Sequence, residues 1–560
     1  MKLKYILIYG NLIFVLNVTA QINSADQVRI DSLFEQWNNK DSPGAAIGII
    51  ENGKLIYTRG YGMADLEHDI PITASSVFYL GSVSKQFVTM CILLLEEQGK
   101  LNLDDEIQLY LPDFPKYQAP LTIRHFIHHT SGVRDNLTLW ELAGNDLLDH
   151  IDDDAIYQLI KRQKILNFTP GDKYLYSNSC YFMLAMIVEK ASDLPIKEFA
   201  EKNIFIPLGM KNSHFHDNHY HIIKNRVFSY SRVDGGYNNL IMRFDLVGSG
   251  GLYSNINDLF LWDQNFYDNK LGKGKAQLVQ KMHEEGILNS GESSHYAFGI
   301  RNGTYRGLKT VSHGGSLAGY RTYLLRFPEQ NFSVIILANV SDFNRSSSAY
   351  GVADILLKNE FKNEMAVETK GEQISVTPVK LTTEKLEKFC ASYWNYEQSY
   401  SRKIYLKNDT LRHSRSENNE NQLLPISKNE FKMLGVEVDI KVKFVNNDNN
   451  QQTMLVTIDD GKPINSIAYK PVSYSIDELK NFVGAYYSDE LNSSYDLRIK
   501  DDALLLYVNG KEISALKPVM KNLFINSDFG TFTFKEGSTG NIAAVSLDAG
   551  RVRNLNFIRK

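Results

Sequence analysis

The sequence predicts an α+β architecture: an antiparallel sheet split by a helical insertion, followed by two small antiparallel β-barrel-like repeats. Three observations carry this. Strand-like runs stand near residue 50 and again after residue 320, with helical patterns and turns from Lys100 to about Asn225 between them. A charged stretch from Lys358 to about Lys385 reads as a linker. Beyond it Leu386, Phe389, Tyr393, Leu411 and Phe431 recur 93 positions later as Leu479, Phe482, Tyr486, Leu504 and Phe524, the mark of a duplicated unit. The 560 residues therefore divide into an export signal (1–20), an α+β unit (21–360), a linker (361–380) and two repeats (381–470 and 471–560).

Each element has a local reason. Lys2 and Lys4 precede an apolar run from Tyr5 to Leu16, and Val18-Thr19-Ala20 supplies small residues, so cleavage after Ala20 and a periplasmic or secreted location are expected. That run is too short for a permanent span, and no later stretch is long and apolar enough to cross a membrane. Ser24 can cap a helix carrying Val28, Leu33, Phe34 and Trp37. Asn52-Gly53 joins the strands Gly44 to Ile50 and Leu55 to Tyr61 as a hairpin. From Phe87 to Leu95 almost no polar face remains, so that helix is expected inside the protein, ending at Gly99. Strands return at Tyr320 to Phe327 and Phe332 to Asn339, and a helix follows from about Ser346 to Lys358.

Composition narrows the function. Hydrophobic content of 43%, charged content of 22% and a net charge of −4 describe an ordinary globular protein and argue against nucleic acid as a partner. The three cysteines, Cys91, Cys180 and Cys390, are too few and scattered for a disulfide framework.

Chemistry concentrates at Ser82 and Lys85, three residues apart where the apolar helix begins. Positions i and i+3 share a helix face, so hydroxyl and amine can meet. Burial and the positive end of the helix dipole both disfavour the ammonium, leaving a base beside a nucleophile. Ser514 and Lys517 share the spacing but sit in a strand-like stretch and read as accidental. Tyr176-Ser177-Asn178, between the Pro170-Gly171 turn and the apolar run Tyr181 to Val188, offers a proton relay and an amide donor. His313-Gly314-Gly315-Ser316 offers open backbone to which a substrate can add as a strand, and the amides of Ser82 and Ser316 can form an oxyanion hole. A glycine turn with an exposed histidine is the plainer reading of that run. The repeats hold no nucleophile or acid–base set, so they are expected to shape substrate choice without supplying catalysis.

Together Ser82/Lys85, Tyr176/Asn178 and His313/Gly315 resemble the serine β-lactamase and penicillin-binding family, in the branch of class C β-lactamases, D-Ala-D-Ala carboxypeptidases, D-aminopeptidases and family VIII esterases. Leu121-Thr122-Ile123-Arg124-His125, His129-Thr130-Ser131-Gly132 and Gly250-Gly251-Leu252-Tyr253-Ser254 match that branch as well. The resemblance implies a β-lactamase/transpeptidase-like domain and an exported serine hydrolase. Ser82 is its expected nucleophile, Lys85 and Tyr176 exchange the proton, and Asn178, His313, Gly314, Gly315 and Ser316 bind substrate. The implied substrates are small amides or esters, among them D-amino-acid peptides from cell-wall material. A non-hydrolysing penicillin-binding or sensor protein and a β-lactamase are the alternatives, although class C β-lactamases usually carry lysine where this chain has His313. No metal or cofactor is implied. His214, His216, His219 and His221 are read as a polar surface segment, and Asp146, Asp149, Asp152, Asp153 and Asp154 as a solvated acidic loop.

Overall fold

A computed structural model describes residues 22–362, 379–416, 419–436, 440–458 and 461–560. The export signal and most of the linker lie outside the described residues.

Six strands form the main sheet: β1 (Ala45–Glu51), β2 (Lys54–Tyr61), β3 (Arg301–Tyr305), β4 (Leu308–Leu317), β5 (Tyr320–Phe327) and β6 (Phe332–Ala338), in the order β3-β4-β5-β6-β1-β2. Every neighbouring pair is antiparallel, and β1 meets β6 with Ala45 opposite Ala338. The two central strands are apolar almost throughout because both faces are covered. Ala45, Ile47 and Ile49 pack with Val334 and Ile336 toward the helices Ser24–Ser32 and Arg345–Leu356, whereas Ala46 and Ile50 join Ile335 and Leu337 under the helical insertion. The β1–β2 turn takes positive φ at Asn52 (49°) and Gly53 (75°), as a two-residue hairpin turn of that sequence requires.

Two local expectations change. Asn23, not Ser24, caps the first helix, its side chain accepting from the Asp26 N–H at 2.9 Å. That helix ends at Ser32; Val28 faces solvent, Ile30 takes the buried position, and Phe34 and Trp37 are buried on the following turn. The sheet also resumes at Arg301 rather than Tyr320, so His313 to Ser316 belong to a strand and not to a glycine turn.

The helix Ser84–Glu97 is buried from Ser84 to Leu95 and packs against the helix Asn178–Ser192. Among the described residues no helix is long and apolar enough to cross a membrane. The cysteines are free thiols.

Strands between Ala391 and Tyr469 close into one eight-stranded barrel, and strands between Gly484 and Arg559 into another. The duplication survives in detail: the Tyr393 hydroxyl donates to the Phe389 carbonyl at 2.8 Å, and the Tyr486 hydroxyl donates to the Phe482 carbonyl at 2.9 Å. Aromatic residues fill both interiors.

The barrels are unequal in position. The core of the first stands apart, whereas that of the second is continuous with the core around Ser84–Glu97. The fully buried Arg134 makes the junction. It donates to Glu490 Oε1 at 2.8 Å, to Gln163 Oε1 at 2.8 Å, and to the carbonyls of Arg553 and Asn554 at 2.8 and 2.9 Å. Desolvation lowers the Arg134 pKa and the Glu490 carboxylate opposes that. Removing one partner of such a buried pair leaves an uncompensated charge, at a cost of roughly 3–5 kcal/mol. Glu490→Ala is therefore expected to lower stability by about that amount in urea denaturation; an unchanged midpoint would show that the barrel docks by other contacts.

Candidate active site

Ser82 lies on the turn Gly81–Val83 immediately before the helix Ser84–Glu97. The Ser84 hydroxyl pins this turn by donating to the Gly81 carbonyl at 2.6 Å and accepting from the Leu252 N–H at 3.1 Å. One residue into the helix, Lys85 Nζ meets three oxygens: Ser82 Oγ at 3.0 Å, Asn178 Oδ1 at 2.9 Å and the Ser249 carbonyl at 2.7 Å. Burial drives the Lys85 pKa well below the usual lysine value; the Arg551 guanidinium pushes the same way and Asp135 partly opposes them. A neutral amine has two N–H groups and one lone pair. Asn178 Oδ1 and the Ser249 carbonyl can only accept, so they take the two N–H groups and leave the lone pair for the Ser82 hydroxyl proton.

Tyr176 and Asn178 are set by residues around the helix Asn178–Ser192. Asp135 Oδ2 accepts from the Asn178 N–H at 2.7 Å, while Asp135 Oδ1 caps the helix Asn136–Leu142 through the Thr138 N–H at 3.0 Å. His129 Nδ1 accepts from the Ser177 N–H at 3.1 Å, and its ring lies 4.1 Å from that of Tyr176. Burial raises the Tyr176 pKa, partly offset by a hydrogen bond with Ser82, so the phenol keeps its proton at neutral pH. Burial and the nearby Lys85 hold His129 well below the usual histidine value.

Strand β4 forms the facing wall. A Cβ on Gly315 would stand 1.9 Å from the Leu80 carbonyl oxygen, and one on Gly81 (φ 55°) would stand 2.7 Å from the Ser316 amide nitrogen. These glycines let two backbones touch behind the cleft, in place of the open approach to substrate expected for Gly315. Gly314 faces the other side, toward Arg345 and Tyr323. Strand β3 covers the outer edge of β4 only as far as Ser312, so from His313 to Leu317 that edge pairs with no strand among the described residues.

His313 is buried. Its Nδ1 donates to the Gly314 carbonyl at 2.8 Å, which leaves Nε2 to accept from the Tyr296 hydroxyl at 2.9 Å. Burial and then Lys85 push its pKa down to about 3. The exposed histidine of the plainer sequence reading is absent from this position.

Ser82, Tyr176, Asn178, His313, Gly314 and Ser316 line one cleft, with Lys85 beneath it and Gly315 behind. Sequence reasoning missed Asp135, Tyr296, Arg301, Arg345 and Arg551, which line the same cleft. None stands in a motif, and Arg551 comes from a repeat expected to contribute no chemistry. Ser514 and Lys517 lie on one strand, where positions three apart face opposite sides. In the histidine-rich segment, His214 and His216 pack on Tyr253, while His219 Nδ1 lies 2.6 Å from Asp245 Oδ2. His150, His219 and Asp245 place one potential metal-ligand atom each within 4.8 Å of one another, as do Asp65, Glu67 and His68. In the acidic segment Asp152 caps the helix Asp153–Lys161.

The β-lactamase family model matches residues 30–357, more than half of the chain. The chain belongs to the β-lactamase family. This β-lactamase family member is 31% identical over 341 residues to penicillin-binding protein 4* of Bacillus subtilis (strain 168), across 55% of this chain and 71% of that protein. It is 25% identical over 315 residues to a D-aminopeptidase of Gluconobacter oxydans (strain 621H), across 56% of this chain and 59% of that enzyme. The octameric penicillin-binding protein homologue from Pyrococcus abyssi shares its fold, with a TM-score of 0.55 and 22% identity over 79% of this chain and 99% of the other. The family match and these relatives agree with the resemblance carried by the sequence motifs.

A pKa of about 3 keeps the His313 imidazole neutral through the physiological range. In a histidine-labelled NMR titration its shifts should stay constant from about pH 5 to 8, where an unperturbed imidazole titrates near 6.5. A midpoint near 6.5 would overturn the buried, neutral assignment.

Proposed function

We propose that the protein is an exported serine hydrolase that acts through an acyl-enzyme on small amides or esters, including peptides with D-residues. The observation that carries this is the buried Lys85 amine, held by two obligate acceptors with its remaining position on Ser82 Oγ. Lys85 takes the hydroxyl proton as Ser82 Oγ attacks the carbonyl carbon. The backbone N–H groups of Ser82 and Ser316 receive the developing oxyanion. The contact behind Gly81 supports this, because it brings the Ser82 turn against the Ser316 amide. The proton then passes by way of Tyr176 to the leaving amine or alcohol, and the carbonyl re-forms as the ester of Ser82. Water attacks that ester, gives up a proton to the same relay, and releases the acid with Ser82 restored. Asn178 orients Lys85 through Oδ1 and can donate to substrate through its amide nitrogen. The free edge of β4 can pair with an extended substrate. The D-residue preference draws on the D-aminopeptidase relative, and export on the basic and apolar N-terminal run.

The test is intact-mass analysis with a serine-directed probe, followed by turnover of an activated ester. Ser82→Ala should abolish both labelling and turnover, and labelling of that variant would remove the assignment. Lys85→Met, which keeps the bulk of the side chain, should lower kcat/KM by about 10²–10⁴-fold.

The pH dependence has a definite sign. Because the folded-state pKa of Lys85 is depressed, the amine stays free until pH falls through that value. Activity on a neutral ester should therefore persist well below the ordinary lysine pKa and fall on the acid side of the depressed value. An activity that rises only toward the ordinary lysine pKa, about 10.4, would mean Lys85 is charged at rest.

A further inference from the structure

Beside the Ser82 cleft, side chains from three separate parts of the chain turn toward one point. His150 follows the helix Asn136–Leu142 and precedes Ile151, which pairs with Phe244 in a parallel bridge. Asp245 comes directly after Phe244, and His219 lies on a turn after the short strand His214–Phe215. Asp245 Oδ1 accepts from the His219 N–H at 2.6 Å, which fixes the carboxylate. Its other oxygen, Oδ2, faces both imidazoles, with His219 Nδ1 at 2.6 Å and His150 Nε2 at 3.4 Å.

We infer that His150, His219 and Asp245 bind one divalent ion of the zinc class, and that this ion fastens together two segments of the cleft wall. The site takes no part in the Ser82 chemistry, and the inference is independent of the hydrolase reading.

A hydrogen bond accounts for His219 but not for His150. The 3.4 Å contact of His150 is too long for a good one, and its ring nitrogens find no other hydrogen-bond partner among the described residues. A tetrahedral ion with bonds of about 2.0–2.2 Å holds neighbouring ligand atoms about 3.3–3.5 Å apart. His150 Nε2 and Asp245 Oδ2 already stand at that spacing. An ion in place of the proton between His219 and Asp245 would part those two atoms by less than about 1 Å. All three donor atoms lie within 4.8 Å of one another, and the half-exposed His150 ring is free to close the remaining distance. Two imidazoles and a carboxylate suit zinc with one position left for water, whereas Ca²⁺ and Mg²⁺ select oxygen ligands. The chain around His150 is acidic, with Asp146, Asp149, Asp152, Asp153 and Asp154, and Arg243 is turned to Asp149 at 3.5 Å. The cluster of Asp65, Glu67 and His68 is different. It belongs to one turn, closed by the Glu67 and His68 N–H groups on Asp65 Oδ1, and offers a single imidazole.

The position of the ion defines its effect. Leu147 and Phe244 both line the Ser82 cleft, and the Arg243 N–H donates to the Leu148 carbonyl at 3.2 Å. An ion held by His150 on one segment and Asp245 on the other adds a second fastening beside that hydrogen bond.

The test uses the full chain without a histidine tag, stripped with a chelator that is then removed. Calorimetric titration with ZnCl₂ should show one ion bound per chain. His150→Ala should weaken binding by more than the roughly 10- to 100-fold that loss of a residue supporting a ligand costs. Because His150 is half-exposed and has no hydrogen bond to lose, the thermal unfolding of that variant in chelator should match the parent. Asp245→Asn should weaken binding in the same way, and His68→Ala should leave it unchanged. In hydrogen exchange, Zn²⁺ should slow the amides around Arg243 and His219 in the parent protein and not in His150→Ala. No saturable binding, undiminished binding by His150→Ala, or loss of binding in His68→Ala overturns the inference. Binding that leaves exchange unchanged overturns it too, because the ion would then fasten nothing. The hydrolase reading stands or falls separately, on labelling and turnover at Ser82.

Discussion

Removal of the Lys85 amine from water is the constraint on which the site depends. An ammonium with no fixed counter-charge in contact is costly in such a place, so the fold favours the free base and gives it two acceptors to hold it still. Those acceptors come from separate parts of the chain, Asn178 at a helix start and Ser249 in a glycine-rich segment. Packing that brings them together therefore also tunes the base. Asp135 links the same centre to the second barrel, since it fixes the start of the Asn178 helix and faces Arg551.

Much of the fold was legible because periodicity and duplication act locally or at a constant offset. The apolar helix after Lys85, the Asn52-Gly53 hairpin and the paired barrels all follow from rules that a sequence displays directly. Strands β3 and β4 were not legible. Glycines at 314 and 315 imitate a turn, and the reason for Gly315 is a contact with the Leu80 carbonyl that only the assembled sheet reveals. The N-cap was displaced by one residue because Asn23 and Ser24 are both good caps.

The site shows the same division. Ser82, Lys85, Tyr176 and Asn178 announced themselves through spacing and context, and they converge. His313 was placed at the cleft, but its environment decides its charge, and burial beside Lys85 makes it a neutral hydrogen-bonding wall. The arginines escaped notice because an isolated arginine carries no pattern. Two barrels of equal sequence periodicity also gave no reason to separate them, yet one core merges with the α+β unit and the other does not.

The bonds from Arg134 to the second barrel span 419 and 420 positions of the chain. Closing so large a loop carries an entropy cost that only the contacts between the two surfaces offset. The Ser82 turn, its lysine and the helix that carries Asn178 belong to one unit, whereas the arginine at the rim arrives by docking. The rim that Arg551 supplies therefore hangs on the same junction that Arg134 makes, so a change at either surface reaches the Ser82 cleft.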